Sequence, residues 1–127
     1  MRILFLSLAL ASVGGTAAAQ VTVPTFTVVD GQTIVIAGKQ WRISGYDAPS
    51  LQEPHCEEER RKAHLLKVHV ATVLMVTRKL EIAPEDSQHT GLAKVTVDGR
   101  DLAEILIASG LATRPGGRER WGCRDGN

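Results

Sequence analysis

The chain has 127 residues, 15 Lys and Arg against 14 Asp and Glu, a formal charge of +1 and 43% hydrophobic residues. That length supports one domain with a modest core and excludes two. The near balance of charge excludes the basic surplus that marks non-specific nucleic-acid binders. The first apolar stretch, Ile3 to Val13, falls short of the about 20 residues that a membrane-spanning helix needs.

In chain order, the first segment is a lone Arg2, that apolar run, and then the small residues Ala17, Ala18 and Ala19. This order of charge, grease and small side chains is that of a secretory signal peptide. Residues 1–19 are therefore expected to be a signal cleaved before Gln20, leaving an exported, periplasmic or extracellular chain with no stable membrane span. An uncleaved anchor or a first buried helix is the alternative. In an oxidising compartment the two cysteines, Cys56 and Cys123, are expected to form one disulfide.

Val21 to Val29 is rich in Val and Thr and reads as a strand ended by the turn pair Asp30, Gly31. Thr33 to Ile36 continues as a second strand, Gly38 and Lys39 turn the chain, and Trp41 to Ile43 forms a third. Asp47 to Pro54, with Pro49 and Pro54, reads as a loop because proline removes a donor and restricts its predecessor. Glu57, Glu58 and Glu59 then place negative charge where a helix dipole favours it. Ala63, Leu66, Val70, Val73 and Leu74 recur along one face of that helix, with Arg60, Arg61, Lys62, His64 and Lys67 largely off it as a solvated face. Lys79 to Ala83, ended by Pro84, and Leu92 to Val97 read as the fourth and fifth strands. Asp98 and Gly99 form a tight turn. Asp101 and Glu104 have the spacing of a capping box for a second helix that uses Leu102, Ile105 and Leu106 and stops at Gly110. The expected fold is α+β, mainly strand: a five-stranded Greek-key barrel of the oligonucleotide-binding (OB) type, with helices after the third and fifth strands.

Two stretches carry chemistry: Asp30, Gly31, Gln32, Thr33, and the run from Arg42 to Ser50. Together with the element order and the segment from Val97 to Ala112, they resemble the staphylococcal-nuclease-like (thermonuclease) family. The resemblance covers about Phe26 to Ala112, within a domain read as 20–112. It implies a calcium ion held by two Asp carboxylates and a backbone carbonyl, a Glu as general base, and two Arg on the scissile phosphate. Arg42 matches the first Arg, Asp47 one calcium-binding Asp, and Ala48 the position whose carbonyl ligates the ion. Gln32 stands where the second Asp belongs and supplies no charge, on which calcium affinity depends. Ser50 stands where the Glu belongs, and an unassisted hydroxyl is a poor base near neutral pH. Thr90 stands where the second Arg belongs, with only Asp86 matching in its loop. The family's third helix is not expected here: residues 113–127 read as an irregular tail in which Arg114, Pro115, Gly116 and Gly117 break structure. A Cys56–Cys123 bridge would pin that tail, including Trp121, to the start of the first helix.

The implied function is an exported thermonuclease-like domain that has lost phosphodiester hydrolysis and keeps a ligand- or nucleic-acid-binding role. No cofactor is expected, or calcium if the family site still functions. Two other functions stay open: a calcium-dependent nuclease with a rearranged site, and an OB module for an oligonucleotide, a glycan or an exported protein partner. At the residue level, Ser50 and His89 form a candidate nucleophile pair with Asp47 or Asp86. His55, Cys56 and either His64 or His89 form a candidate metal set that matches no zinc spacing. Arg42 and Asp47 also have a purely structural reading as an ion pair and a turn cap. Trp41 and Tyr46 read as core or rim, and the aromatics are too few for stacking along a single strand.

Overall fold

The computed structural model describes residues 14–15, 24–85, 91–116 and 121–124. Apart from Gly14 and Gly15, the expected signal peptide lies outside them. Three strands open the domain: β1 (Phe26–Asp30), β2 (Thr33–Ile36) and β3 (Lys39–Ile43). They form the expected antiparallel meander, with Val28 opposite Ile34 and Ile34 opposite Trp41. Helix α1 (Glu57–Val76) follows, then β4 (Leu80–Pro84), β5 (Leu92–Val97), a two-residue β6 (Arg100–Asp101) and helix α2 (Leu102–Ala108).

The sheet order is β1-β2-β3-β5-β4, with β6 added to β5. β3 and β5 run parallel, Arg42 opposite Leu92 and Ile43 opposite Ala93, because α1 and β4 intervene between them and return the chain in the same direction. The expectation of a closed five-stranded barrel is corrected in two respects. A sixth strand is present, since the turn at Asp98 and Gly99 folds Arg100 and Asp101 back onto Val97 and Thr96 before α2 begins. The sheet is open, because among the described pairings none joins β4 to β1.

The core lies between the sheet and the two helices. Ile34, Ile43, Leu66, Val70, Val95 and Leu102 are fully buried within it. The buried stripe of α1 is Glu59, Ala63, Leu66, Val70 and Leu74, which is the expected face with one carboxylate added and with Val73 only half-buried at its edge. Its opposite side is less polar than its charges suggest, for Leu65, Val68, Met75 and Val76 are exposed there. Helix α2 is capped at Asp101, whose carboxylate accepts from the Ala103 amide at 3.0 Å. The expected box is only half formed, because Glu104 turns instead to Arg114 at 3.3 Å.

The β1–β2 turn presses on α1 at Gly31. A Cβ there would stand 2.6 Å from Leu66 Cγ, so glycine is required by contact with the helix rather than by its backbone angles. The tail returns to the N-terminal end of that helix through the Cys56–Cys123 disulfide, whose Cα atoms are 5.8 Å apart. Cross-linking across 67 positions stabilises by about 4 kcal/mol in the chain-entropy description. Before Cys123, Trp121 is 8% exposed. Both Trp121 (φ 54°) and Gly122 (φ 85°) are left-handed, a conformation that costs a residue with a side chain roughly 1–2 kcal/mol.

Gly31→Ala is expected to lower stability by about 1–3 kcal/mol through overpacking against Leu66, read as a lower urea midpoint with an unchanged slope.

Candidate functional site

The resemblance-bearing residues gather at one end of the sheet. The β1–β2 turn brings Asp30 and Gln32, β3 brings Arg42, and the following loop brings Ala48, Ser50 and Gln52. Together they line a small polar cleft of about 130 Å³. A larger open groove, about 520 Å³, lies elsewhere, over the disulfide.

Gln32 is the centre of the cleft. Its backbone amide donates to Asp30 Oδ1 at 2.8 Å, the Asx turn that an Asp before Gly favours. Its side-chain Nε2 donates to the carbonyl oxygens of Tyr46 (2.6 Å) and Ile43 (3.3 Å). Its Oε1 accepts from Arg42 Nη2 at 3.2 Å. One neutral amide therefore ties together the turn, the end of β3 and the loop after it. A carboxylate could not do this, since it has no proton to offer the two carbonyls.

Beneath the amide, Tyr46 is core, as one of its two expected placements had it, and its hydroxyl donates to the Gly31 carbonyl at 2.6 Å. Burial raises the Tyr46 pKa far above the ordinary phenol range, Asp30 adds to the rise and Arg42 opposes it. The phenol is a structural donor and no acid or base at neutral pH. Asp30 Oδ2 accepts from Gln52 Nε2 at 3.1 Å across the cleft.

The sequence-derived candidates separate. Arg42, Gln32, Ala48 and Ser50 line the cleft. Asp47 does not: its backbone bridges Thr113 in both directions (2.8 and 3.0 Å), and its Oδ2 accepts from the Gly116 amide at 3.1 Å. The carboxylate is spent on the turn of the tail, which agrees with the structural alternative for this residue. Arg42 has no carboxylate partner among the described residues, so the ion-pair alternative for it is not what the structure contains. Thr90, Asp86 and His89 lie outside the described residues. Ser50 Oγ accepts from the Glu53 amide at 3.0 Å, a loop-capping role. The set of His55, Cys56 and His64 is overturned, because Cys56 is consumed by the disulfide and His55 Nδ1 is 2.8 Å from Glu59.

The residues that calcium would need do not fit it. Gln32 points its hydrogens, not a charged oxygen, at the neighbouring carbonyls, and the Asp47 carboxylate is bonded elsewhere. Among the described residues no cluster of three His, Cys, Asp or Glu side chains is placed to hold a metal ion.

One important residue was not singled out by sequence reasoning. Glu59 is 3% exposed at its side chain. Oε1 accepts from the Ser50 amide at 2.9 Å, and Oε2 accepts from the His55 amide at 2.7 Å and faces His55 Nδ1 at 2.8 Å. The signal for it was available: Glu59 is four residues before Ala63 and seven before Leu66, on the buried stripe of α1. Burial pushes its pKa up, but the amides of His55 and Ser50 and the His55 ring outweigh this and hold it below the ordinary carboxylate value.

A scan against protein-family models and a search of curated proteins find no match for this chain.

Because the Glu59 carboxylate is stabilised in the folded state, its contribution is present above the ordinary glutamate pKa and is lost as pH falls through the lower folded value. Glu59→Gln is expected to cost about 1–3 kcal/mol near neutral pH by leaving a buried amide badly matched. It also flattens the acid side of the stability curve, measured as urea midpoint between about pH 7 and about pH 3.

Proposed function

We propose that this chain is an exported domain of thermonuclease type whose cleft binds a phosphate-bearing ligand, a short single-stranded oligonucleotide, without hydrolysing it. The observation that carries the reading is the Gln32 amide, which makes the contacts of the cleft from within the chain where the resemblance calls for a carboxylate and a cation. The strand order with its parallel β3–β5 pair supports an OB-type architecture, a fold that is itself only partly closed. The N-terminal sequence and the disulfide support export.

Arg42 is the anchoring group. It is exposed and gives one N–H to Gln32, leaving donors for a phosphate oxygen in the planar geometry that suits guanidinium. Asp30, also in the cleft, offsets its charge, which favours the single charge of a phosphodiester over a terminal dianion. Among the described residues of the cleft, hydrolysis lacks a free proton acceptor. Ser50 Oγ is occupied by the loop, and Glu59 has both oxygens engaged behind it. A positioned base supplies about 10²–10⁴-fold, and the stabilising charge of a second cationic group about 10²–10³-fold, so their joint loss removes useful turnover.

The test is a fluorescence-anisotropy titration of a labelled DNA oligomer with and without calcium, paired with a cleavage assay. The expected result is binding indifferent to calcium, weakened about 10–100-fold in Arg42→Ala by loss of a charged hydrogen bond, and no calcium-dependent cleavage. Calcium-dependent turnover, or binding unchanged in Arg42→Ala, overturns the reading.

A further inference from the structure

Cys56 and Cys123 line the open groove, about 520 Å³, together with His55, Glu58, Gly122 and Arg124. Both cysteines are half-buried rather than enclosed, and the neighbouring His55 side chain is 83% exposed. Access of this kind is what an attacking thiolate requires.

The two sulfurs are not equivalent. Cys56 is the N-cap of the 20-residue helix α1, where the positive end of the helix dipole favours a thiolate. The three carboxylates of the first turn would oppose that effect, but each is engaged elsewhere: Glu57 pairs with Arg60, Glu58 pairs with Arg61, and Glu59 accepts from the Ser50 and His55 amides. Cys56 is therefore the better leaving group, and attack falls on Cys123. On the Cys123 side, Trp121 and Gly122 hold left-handed backbone, and a Cβ at Gly122 would stand 2.8 Å from Glu58 Cγ. The tail is thus pressed against α1 in a conformation that the cross-link keeps.

We propose that Cys56–Cys123 is a site of thiol–disulfide exchange in the folded protein, reduced by a dithiol protein of thioredoxin-like chemistry through a mixed disulfide on Cys123. The partner's thiolate bonds to Cys123 Sγ, the Cys56–Cys123 bond breaks, and its electron pair leaves on Cys56. The partner's second thiolate then attacks its own sulfur in the mixed disulfide, closing the partner's disulfide and expelling the Cys123 thiolate. Two electrons pass from the dithiol to this chain, and the two protons it gives up are taken by Cys56 and Cys123. Reduction frees the segment 121–124 from α1. The cleft loop keeps its own anchor, because Glu59 still holds Ser50 and His55. The site is independent of the ligand proposed for the cleft.

The experiment exposes the oxidised full chain to dithiothreitol, and separately to a thioredoxin-type protein whose resolving cysteine is serine, in buffer and in urea below the unfolding transition. The expected result is a reduction rate proportional to dithiol concentration and insensitive to mild urea. The trapped adduct is expected on Cys123 in about tenfold excess over Cys56 by peptide mass, as the leaving-group difference dictates. A rate that tracks global unfolding, independent of dithiol and steep in urea, overturns the proposal. So does the absence of a trapped adduct, or an adduct on Cys56 or equally on both.

Discussion

A single buried carboxylate organises this molecule. Glu59 sits on the core-facing stripe of α1, among alkyl side chains, yet is held as an anion by two backbone amides and a histidine ring. Isolated charge does not survive in such a place; it persists only when donors replace water around it. Those donors come from both ends of the 50–55 loop. The loop is proline-bearing and has no strand or helix of its own to close its hydrogen bonds, so Glu59 gives it a fixed shape. Gln52 then reaches Asp30, and the wall of the cleft stands in one place.

The cleft shows how a polar site can be made self-sufficient. Where opposing oxygens converge, something with positive character must sit between them. Here that role falls to the two hydrogens of the Gln32 amide, directed at Tyr46 and Ile43, with Arg42 joined to its oxygen. An amide brings direction instead of net charge. It fixes the carbonyls without drawing in counter-ions, and the guanidinium is left as the dominant external feature.

Much of the fold was legible because local signals agreed with one another. The Val- and Ile-rich runs between Gly and Asp turns marked β2 and β5 to the residue, β3 begins two residues before the expected Trp41 because Lys39 pairs with Ile36 instead of turning, and the 3.6 spacing of Ala63, Leu66, Val70 and Leu74 marked the face of α1. Partnerships between distant residues were harder to read. Nothing local to Asp47 says that its carboxylate will bond Gly116, and nothing near Glu104 says that it will choose Arg114 over the cap. The two-residue β6 is too short to have periodicity of its own. Glu59 was hidden for a different reason. It belongs to a run of three acidic residues whose common explanation, the helix dipole, is sufficient for two of them. Only its register with the apolar stripe distinguishes it.

The open sheet leaves β1 and β4 as outer rows of backbone, the kind of edge that another chain can extend. Each carries its own obstruction. β4 ends on Pro84, which has no amide proton to share, and it presents Glu81 joined to Lys79. The register of β1 breaks between Val28 and Asp30, which spoils a continuous ladder. Proline, charge and irregular register are the devices by which exposed rims stay unrecruited, and in this protein they take over the protective task that full closure performs in a barrel.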